Sequence, residues 1–190
     1  MTPESYFSTV SELDLRAYRA GFEHSGLIRE RSGQLTVEYA PFDHIEDNAE
    51  LVIVGLTPGR QQAANALETL ANELKHGTSP KVALERAKRT ASFSGPMRAN
   101  LLAMLDEIGV PALYGRASAA GFFNDSQSRV HFTSALRYPV YLGGRNYSGT
   151  PNPLSQPILK RMIDDVPPAS PSIIVRAQGV DSRSASPAGA

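Results

Sequence analysis

The chain has 190 residues, of which 41% are hydrophobic and 20% are charged, and 19 basic side chains balance 19 acidic ones. This composition is typical of a globular chain, most simply a single domain long enough to bury its own core. The sequence contains no cysteine, which excludes disulfides, a thiol nucleophile and an iron–sulfur cluster held by cysteines.

The overall neutrality hides an uneven distribution of charge. Residues 1–50 hold 4 basic and 10 acidic side chains, whereas residues 51–190 hold 15 basic and 9 acidic ones. A basic balance after residue 50 is compatible with a phosphate-bearing ligand, and solvated helix faces explain it equally well. The first residues lack the basic and apolar regions of a signal peptide, and no apolar run has membrane-spanning length. We therefore expect a cytoplasmic protein without membrane association.

The first 50 residues predict one helix and one strand. An amphipathic helix is indicated over 11–22, with Ser11 as its N-cap. Alternating apolar and polar residues over 35–39 predict a half-exposed strand. His24 and His44 have no partner at metal-ligand spacing, so we expect no metal site.

The unbroken apolar run over 51–54 is the pattern of a strand buried on both faces, as in a parallel sheet. Gly55 and Gly59 then bracket a turn in which Pro58 fixes one backbone angle. The next segment is rich in helix formers and predicts a helix that ends near residues 76–77. In an open α/β sheet, this order places the turn at the carboxyl end of the strand, where ligands bind.

The rest of the chain continues the alternation of helices and strands. Helices are predicted over 79–89, 100–108 and 157–163, and strands over 130–136 and 172–175. The alternation predicts an α/β fold, which we expect to be a three-layer sandwich with a short, mainly parallel central sheet and helices on both faces. We expect the domain to span residues 1–175 and the small, polar tail over 176–190 to be disordered.

The glycine turn has a chemical interpretation of its own. The first N–H groups of a helix are free to bind an anion, and Arg60 follows the turn directly. An alternative function is therefore that of a small-molecule enzyme or binder that holds a phosphate or nucleotide at the Gly55–Arg60 turn. An ordinary strand-to-helix connection without a ligand would show the same pattern.

Three segments together resemble the uracil-DNA glycosylase superfamily. The run Val-Ile-Val-Gly-Leu-Thr-Pro-Gly over 52–59 is similar to the family's first motif, a strand ending in a Gly-x-x-Pro-Gly or Gly-x-x-Pro-Tyr turn. The segment 92–102 is similar to the next motif, an aromatic residue followed by a glycine-containing turn and a leucine-rich helix. The segment 131–137 resembles the strand that presents a base-reading side chain. The segments occur in the family's order, and the resemblance covers roughly residues 40–175.

The resemblance implies a protein that binds DNA or a nucleobase, or a nucleotide, and reads an unstacked base in a pocket. It implies that Phe93 stacks on the base and that Ser134 stands where uracil-specific members carry an asparagine. In the turn, Thr57 is the candidate catalytic residue. The other base-binding candidates are Gly55, Leu56, Pro58 and Gly59, and the candidates for phosphate or DNA contact are Arg60, Arg98 and Arg137. No cofactor, metal ion or iron–sulfur cluster is implied.

The chain also departs from the family's pattern. The turn contains no Asp, Glu or Asn to orient a water, and the hydroxyl of Thr57 is not a general base near neutral pH. Ser134 lacks the paired donor and acceptor of an amide. The family's His-Pro-Ser-type final loop has no counterpart, so we expect a domain incomplete at its C-terminus, with base excision impaired or absent. An inactive partial fold is the remaining interpretation.

Overall fold

The computed structural model describes residues 2–49, 51–124, 130–164 and 173–176, which form a mixed α/β fold with one parallel and one antiparallel sheet. The strands are β1 Ile28–Ser32, β2 Leu35–Glu38, β3 Leu51–Gly55, β4 Val130–Ser134, β5 Val140–Leu142, β6 Arg145–Asn146 and β7 Ile173–Arg176. The helices are α1 Phe7–Ser11, α2 Leu15–Arg19, α3 Arg60–Lys75, α4 Pro80–Ala91, α5 Pro96–Glu107, α6 Val110–Leu113, α7 Gly121–Asn124 and α8 Pro157–Asp164. None of the described helices is both long and apolar enough to cross a membrane.

The parallel sheet has the strand order β4-β3-β7 and confirms the central strands that the sequence predicts. The strand β3 lies between two parallel neighbours, pairing Leu51 with Val130 on one side and with Ile173 on the other. The predicted strands over 130–136 and 172–175 are therefore adjacent to the apolar run over 51–54. Because all three strands run in the same direction, their carboxyl ends share one edge of the sheet.

One face of the parallel sheet is covered by α5, α6 and α7. These elements share an apolar cluster made by Leu51, Ile53, Phe93, Leu101, Leu105, Val110, Ala119, Phe122, Phe123, Val130 and Phe132. A second cluster joins α3 and α4 to the N-terminal helices and to the connection between β2 and β3. The first cluster therefore packs on the parallel sheet, and the second packs the helix that follows the glycine turn against the N-terminal part of the chain.

The antiparallel sheet has the order β1-β2-β5-β6 and includes the predicted strand over 35–39. The prediction that this strand is half exposed is wrong, since all four residues of β2 are buried. Leu35 and Val37 pack against α8 and β5, while Glu38, with 0% exposure, lies under α2 and α3. The polar residue Glu38 in this alternating pattern therefore belongs to a buried polar cluster and does not mark a face exposed to solvent.

The predicted helix over 11–22 is shorter in the structure, where α2 covers only Leu15–Arg19, and Ser11 is not its N-cap. Ser11 ends the first helix, and its hydroxyl donates to the Phe7 carbonyl. The N-cap of the second helix is Asp14, whose Oδ1 accepts from the Ala17 N–H at 2.9 Å. In the predicted tail, Arg176 is the last residue of β7, and residues 177–190 lie outside the described part of the chain.

Candidate functional site

Three of the predicted base-binding residues converge at the carboxyl edge of the parallel sheet. Gly55 is the last residue of β3 and pairs with Ser134, the last residue of β4. A Cβ atom placed on Gly55 would lie 3.4 Å from the Ser134 Oγ and 3.5 Å from the Phe93 Cε1. The missing side chain of Gly55 therefore leaves a methyl-sized gap between an aromatic ring and a hydroxyl group.

The loop between α4 and α5 holds Phe93 in an unusual backbone conformation. Its φ of 52° lies in the left-handed region, which a bulky residue adopts at a cost of about 1–3 kcal/mol. The side chain is 6% exposed and packs on Phe132, with ring centroids 5.9 Å apart. The next residue, Ser94, accepts a 3.0 Å hydrogen bond from the Asn65 Nδ2 on α3. The loop is thus both strained and tied to the helix that follows the glycine turn.

The hydroxyl of Thr57 is engaged by protein groups on both sides. It donates to the Tyr138 carbonyl at 3.0 Å and accepts from the Val140 N–H at 3.2 Å. Thr57 therefore joins the glycine turn to the segment between β4 and β5. Leu56 packs in the apolar cluster shared by α8 and the antiparallel sheet, and Pro58 is buried. The catalytic role of Thr57 and the base contacts of Leu56 and Pro58 stay predictions.

The N-terminus of α3 is capped by neutral carboxamides. The Arg60 N–H donates to the Asn146 Oδ1 at 2.9 Å, and the Gly59 N–H donates to the Gln62 Oε1 at 3.4 Å. A Cβ atom on Gly59 would lie 3.2 Å from the Asn146 Nδ2, so this glycine permits the close approach of the carboxamide. Two N–H groups that could have met an anion are therefore occupied.

The structure adds Asn146 to the residues of the candidate site, a residue whose loop the sequence explains equally well as a plain surface segment. It lies on β6, in the second half of a β5–β6 hairpin. The only sequence signal is an asparagine within the glycine-rich loop over 143–149, a pattern that surface loops share. Its contact with the turn depends on how the antiparallel sheet packs, which local sequence patterns do not report.

The side chain of Arg60 points into the protein. Its Cζ lies 3.8 Å from the centre of the Tyr141 ring and 4.9 Å from that of Tyr18, and its Nη1 lies 3.7 Å from the Glu38 Oε2. The Tyr18 hydroxyl donates to the same carboxylate oxygen at 2.9 Å. Burial raises the pKa of Glu38 although Tyr18 and Arg60 favour its charged form. Because Arg60 is only 9% exposed, its guanidinium does not face solvent.

Arg98 and Arg137 lie apart from Arg60. The Arg98 Nη2 donates to the Ser92 carbonyl at 2.7 Å and to the Thr90 carbonyl at 3.0 Å, and its Cζ lies 4.9 Å from the centre of the Phe123 ring. Arg98 therefore fastens the end of α4 and the loop that carries Phe93. Arg137 is half-buried, and its charge lowers the pKa values of Asp43, Lys88 and His131. The three arginines do not meet in one phosphate site, and their phosphate contacts stay predictions.

A second polar cluster lies where α4 approaches β4. The Lys88 Nζ donates to the His44 carbonyl, and burial lowers the pKa of Lys88 to about 7. The His131 Nδ1 accepts from the Glu46 N–H at 3.2 Å, and burial lowers the pKa of His131 to about 3. Among the described residues, no group of three or more His, Asp or Glu is placed to hold a metal ion. The cluster is therefore a set of buried ionisable groups that favour their neutral forms.

Comparison with known proteins finds a similar bacterial sequence. Over 120 residues, the chain is 39% identical to the "Uncharacterized protein YoxB" of Bacillus subtilis (strain 168). The match covers 63% of this chain and 47% of YoxB, so the chain spans about half the length of that curated relative. No family model matches the chain, and no solved structure matches it.

Proposed function

We propose that this chain binds a nucleobase at the carboxyl edge of its parallel sheet, in the manner of the uracil-DNA glycosylase superfamily. The observation that carries the proposal is the convergence of Gly55, Phe93 and Ser134, which come from three separate segments of the chain. An aromatic ring, a hydroxyl group and a residue without a side chain are the elements with which a base can be stacked, hydrogen-bonded and approached closely.

The architecture we propose for this site is the three-layer sandwich. The strands β4, β3 and β7 form the central layer, and α5, α6 and α7 pack on one face through the cluster that contains Phe93. On the other face, His131 of β4 lies near Lys88 of α4. In such a fold the loops at the carboxyl edge of the sheet are where ligands bind.

The proposed binding step requires a movement of the loop that carries Phe93. Because the ring is 6% exposed and contacts the position of a Gly55 Cβ, a base can stack on it only when the loop shifts away from β3. The left-handed backbone of Phe93 supplies part of the driving force, since a strained residue gains by moving. Ser134 lies at the same edge, and no described residue makes a hydrogen bond to its hydroxyl.

We propose binding without efficient base excision. Cleavage of an N-glycosidic bond needs a positioned water and fixed dipoles that stabilise the departing base. The only hydroxyl in the 55–60 turn belongs to Thr57 and is bonded to Tyr138 and Val140. The turn therefore offers a shaped surface for a base but no free side-chain group to orient a water.

The proposal is tested by the variant Gly55→Ala. The added methyl group would make ordinary van der Waals contacts with Ser134 and Phe93, so we expect the melting temperature to stay within about 2 °C of wild type. The same methyl group blocks the path of a base between the ring and the strand end. We therefore expect isothermal titration with uracil, cytosine, adenine and hypoxanthine to show binding of at least one base by wild type and at least tenfold weaker binding by the variant.

The Ser134→Ala variant and a serine control complete this experiment. Ser134→Ala should weaken binding of the same base, because a ligand hydrogen bond is lost, whereas alanine at the exposed Ser8 of α1 should not change it. Equal affinity of wild type and Gly55→Ala would place the base elsewhere, and the absence of binding by every base would refute the proposed function.

A further inference from the structure

The surroundings of the glycine turn are rich in neutral carboxamides. Asn146 and Gln62 cap the N-terminus of α3, and Asn65 contacts Ser94 in the loop of Phe93. A Cβ atom on Gly95 would lie 3.2 Å from the Gln61 Nε2, which places that carboxamide against the same loop. Two amide side chains therefore lie at the start of α3, and two others lie against the loop of Phe93.

Two arginines close in sequence to this site, Arg60 and Arg98, are directed elsewhere. Arg60 is 9% exposed and stacked on Tyr141, and Arg98 donates to the carbonyls of Thr90 and Ser92. Arg145 is the neighbour of Asn146 on β6, and adjacent residues of a strand point to opposite sides. Neither Arg60 nor Arg98 therefore presents a free guanidinium to a phosphate group at the turn.

Two of the backbone donors at the start of α3 are also withdrawn from anions. A phosphate bound at a helix N-terminus is held by the first free N–H groups of the helix. Here the Gly59 and Arg60 N–H groups both donate to carboxamide oxygens of the protein. In contrast, the Asn146 Nδ2 makes no hydrogen bond with any described residue, although it lies beside the turn. Asn146 thus offers an uncharged amide donor beside the turn.

We propose that the site takes an uncharged ligand, a free nucleobase or a nucleoside, and that the Asn146 amide donates to a carbonyl oxygen or ring nitrogen of the base. This inference rests on the proposed function and restricts it. Affinity for DNA comes largely from phosphate groups neutralised by Lys and Arg, and here Arg60 and Arg98 are engaged within the protein. Stacking and neutral hydrogen bonds then supply the recognition, and neither depends on a phosphate group.

The proposal is tested by titrating the full chain with uracil, 2′-deoxyuridine, 2′-deoxyuridine 5′-monophosphate and a single-stranded oligonucleotide that contains deoxyuridine. The same four kinds of compound are titrated for every other base that binds. Each titration is made at low salt and at tenfold higher salt. We expect the nucleoside and its monophosphate to bind within threefold of each other and to lose less than twofold in affinity at high salt. In the oligonucleotide, a single phosphate contact would weaken binding about fivefold over that range.

Two outcomes overturn the inference in different ways. Binding of the monophosphate or oligonucleotide at least tenfold more tightly than the nucleoside, with a steep salt dependence, would overturn the uncharged ligand and leave nucleobase binding intact. No binding of any member of the panel would overturn both the inference and the proposed function.

The role of Asn146 is tested separately by Asn146→Asp. The carboxylate keeps an oxygen that accepts from the Arg60 N–H but has no amide donor. We expect an unchanged melting temperature and at least tenfold weaker binding of the nucleoside. The matched control is Asn72→Asp, at the exposed far end of α3, which should bind as wild type does. If Asn146→Asp binds the nucleoside with wild-type affinity, the proposed amide contact is wrong. Capping of α3 would then be the role of this side chain.

Discussion

Arg60 shows how a single residue can change the chemistry expected of a site. Its position after the glycine turn predicts an exposed cation, yet its guanidinium packs on Tyr141 and lies near the fully buried Glu38. Removing one partner of a buried pair typically costs about 3–5 kcal/mol, because the other charge is left uncompensated. The arginine therefore binds α3 to the antiparallel sheet, and the neighbouring turn is left electrically neutral.

Burial of His131 predicts a loss of stability in acid. Its pKa is about 3 in the folded chain, below the ordinary 6.5, because burial and the charges of Lys88, His44 and Arg137 disfavour the protonated ring. The unfolded chain therefore binds a proton more readily between pH 6.5 and 3. The stabilisation is complete above pH 6.5 and is lost as the pH falls through this window, at about 1.4 kcal/mol per pH unit.

The measurement is urea denaturation of wild type and His131→Gln at pH 7 and pH 5. We expect wild type to lose about 2 kcal/mol more than the variant between these two pH values, because only wild type carries the buried imidazole. The difference between the two proteins at a single pH does not matter for this test. Parallel losses in both proteins would mean that other groups cause the acid sensitivity.

At the scale of elements, the turn between β3 and α3 is fastened to the segment that joins the two sheets. Thr57 bonds to Tyr138 and Val140, and Asn146 of β6 caps α3. The turn that follows Gly55 is therefore positioned by an antiparallel hairpin as well as by its own sheet. This connection explains why the hairpin is part of the site although it lies outside the parallel sheet.

The Thr57→Val variant removes this connection while keeping the shape of the side chain. The Tyr138 carbonyl and the Val140 N–H would each lose a partner, and we expect the free energy of unfolding to fall by about 2 kcal/mol. Thermal and urea denaturation measure the effect. Thr90→Val is the control, since Thr90 is exposed at the end of α4. A cost no larger than that of the control would show that the two hydrogen bonds do not hold the turn.

Thr57 also determines the expected outcome for catalysis. Because the Thr57 hydroxyl is bonded on both sides, we expect wild-type protein to produce no detectable abasic sites in single- or double-stranded DNA containing uracil. A gel assay with an active glycosylase as positive control measures this. Robust excision by wild type that is lost in Thr57→Ala would contradict the expectation and assign the reaction to this hydroxyl.

For the whole molecule, the sequence predicts the parallel sheet well because its signals are local. An apolar run, a glycine turn and a helix start identify β3 and α3, and the pairing of Gly55 with Ser134 follows once β3 and β4 are parallel neighbours. Strand β1 is mostly polar, and β5 and β6 have only three and two residues, so no run or alternation reveals them. Their contribution to the site, through Asn146 and the burial of Arg60, depends on packing between distant segments.

The central claim is that a nucleobase binds where Gly55, Phe93 and Ser134 meet, and amide NMR tests it most directly. In a titration of uniformly ¹⁵N-labelled protein with the base that binds most tightly, we expect the largest shift changes at the amides of these three residues. The amides of α1 and α2, on the far side of α3, should not change. Saturating ligand that leaves Gly55, Phe93 and Ser134 unperturbed, or that perturbs only residues remote from them, would contradict the claim.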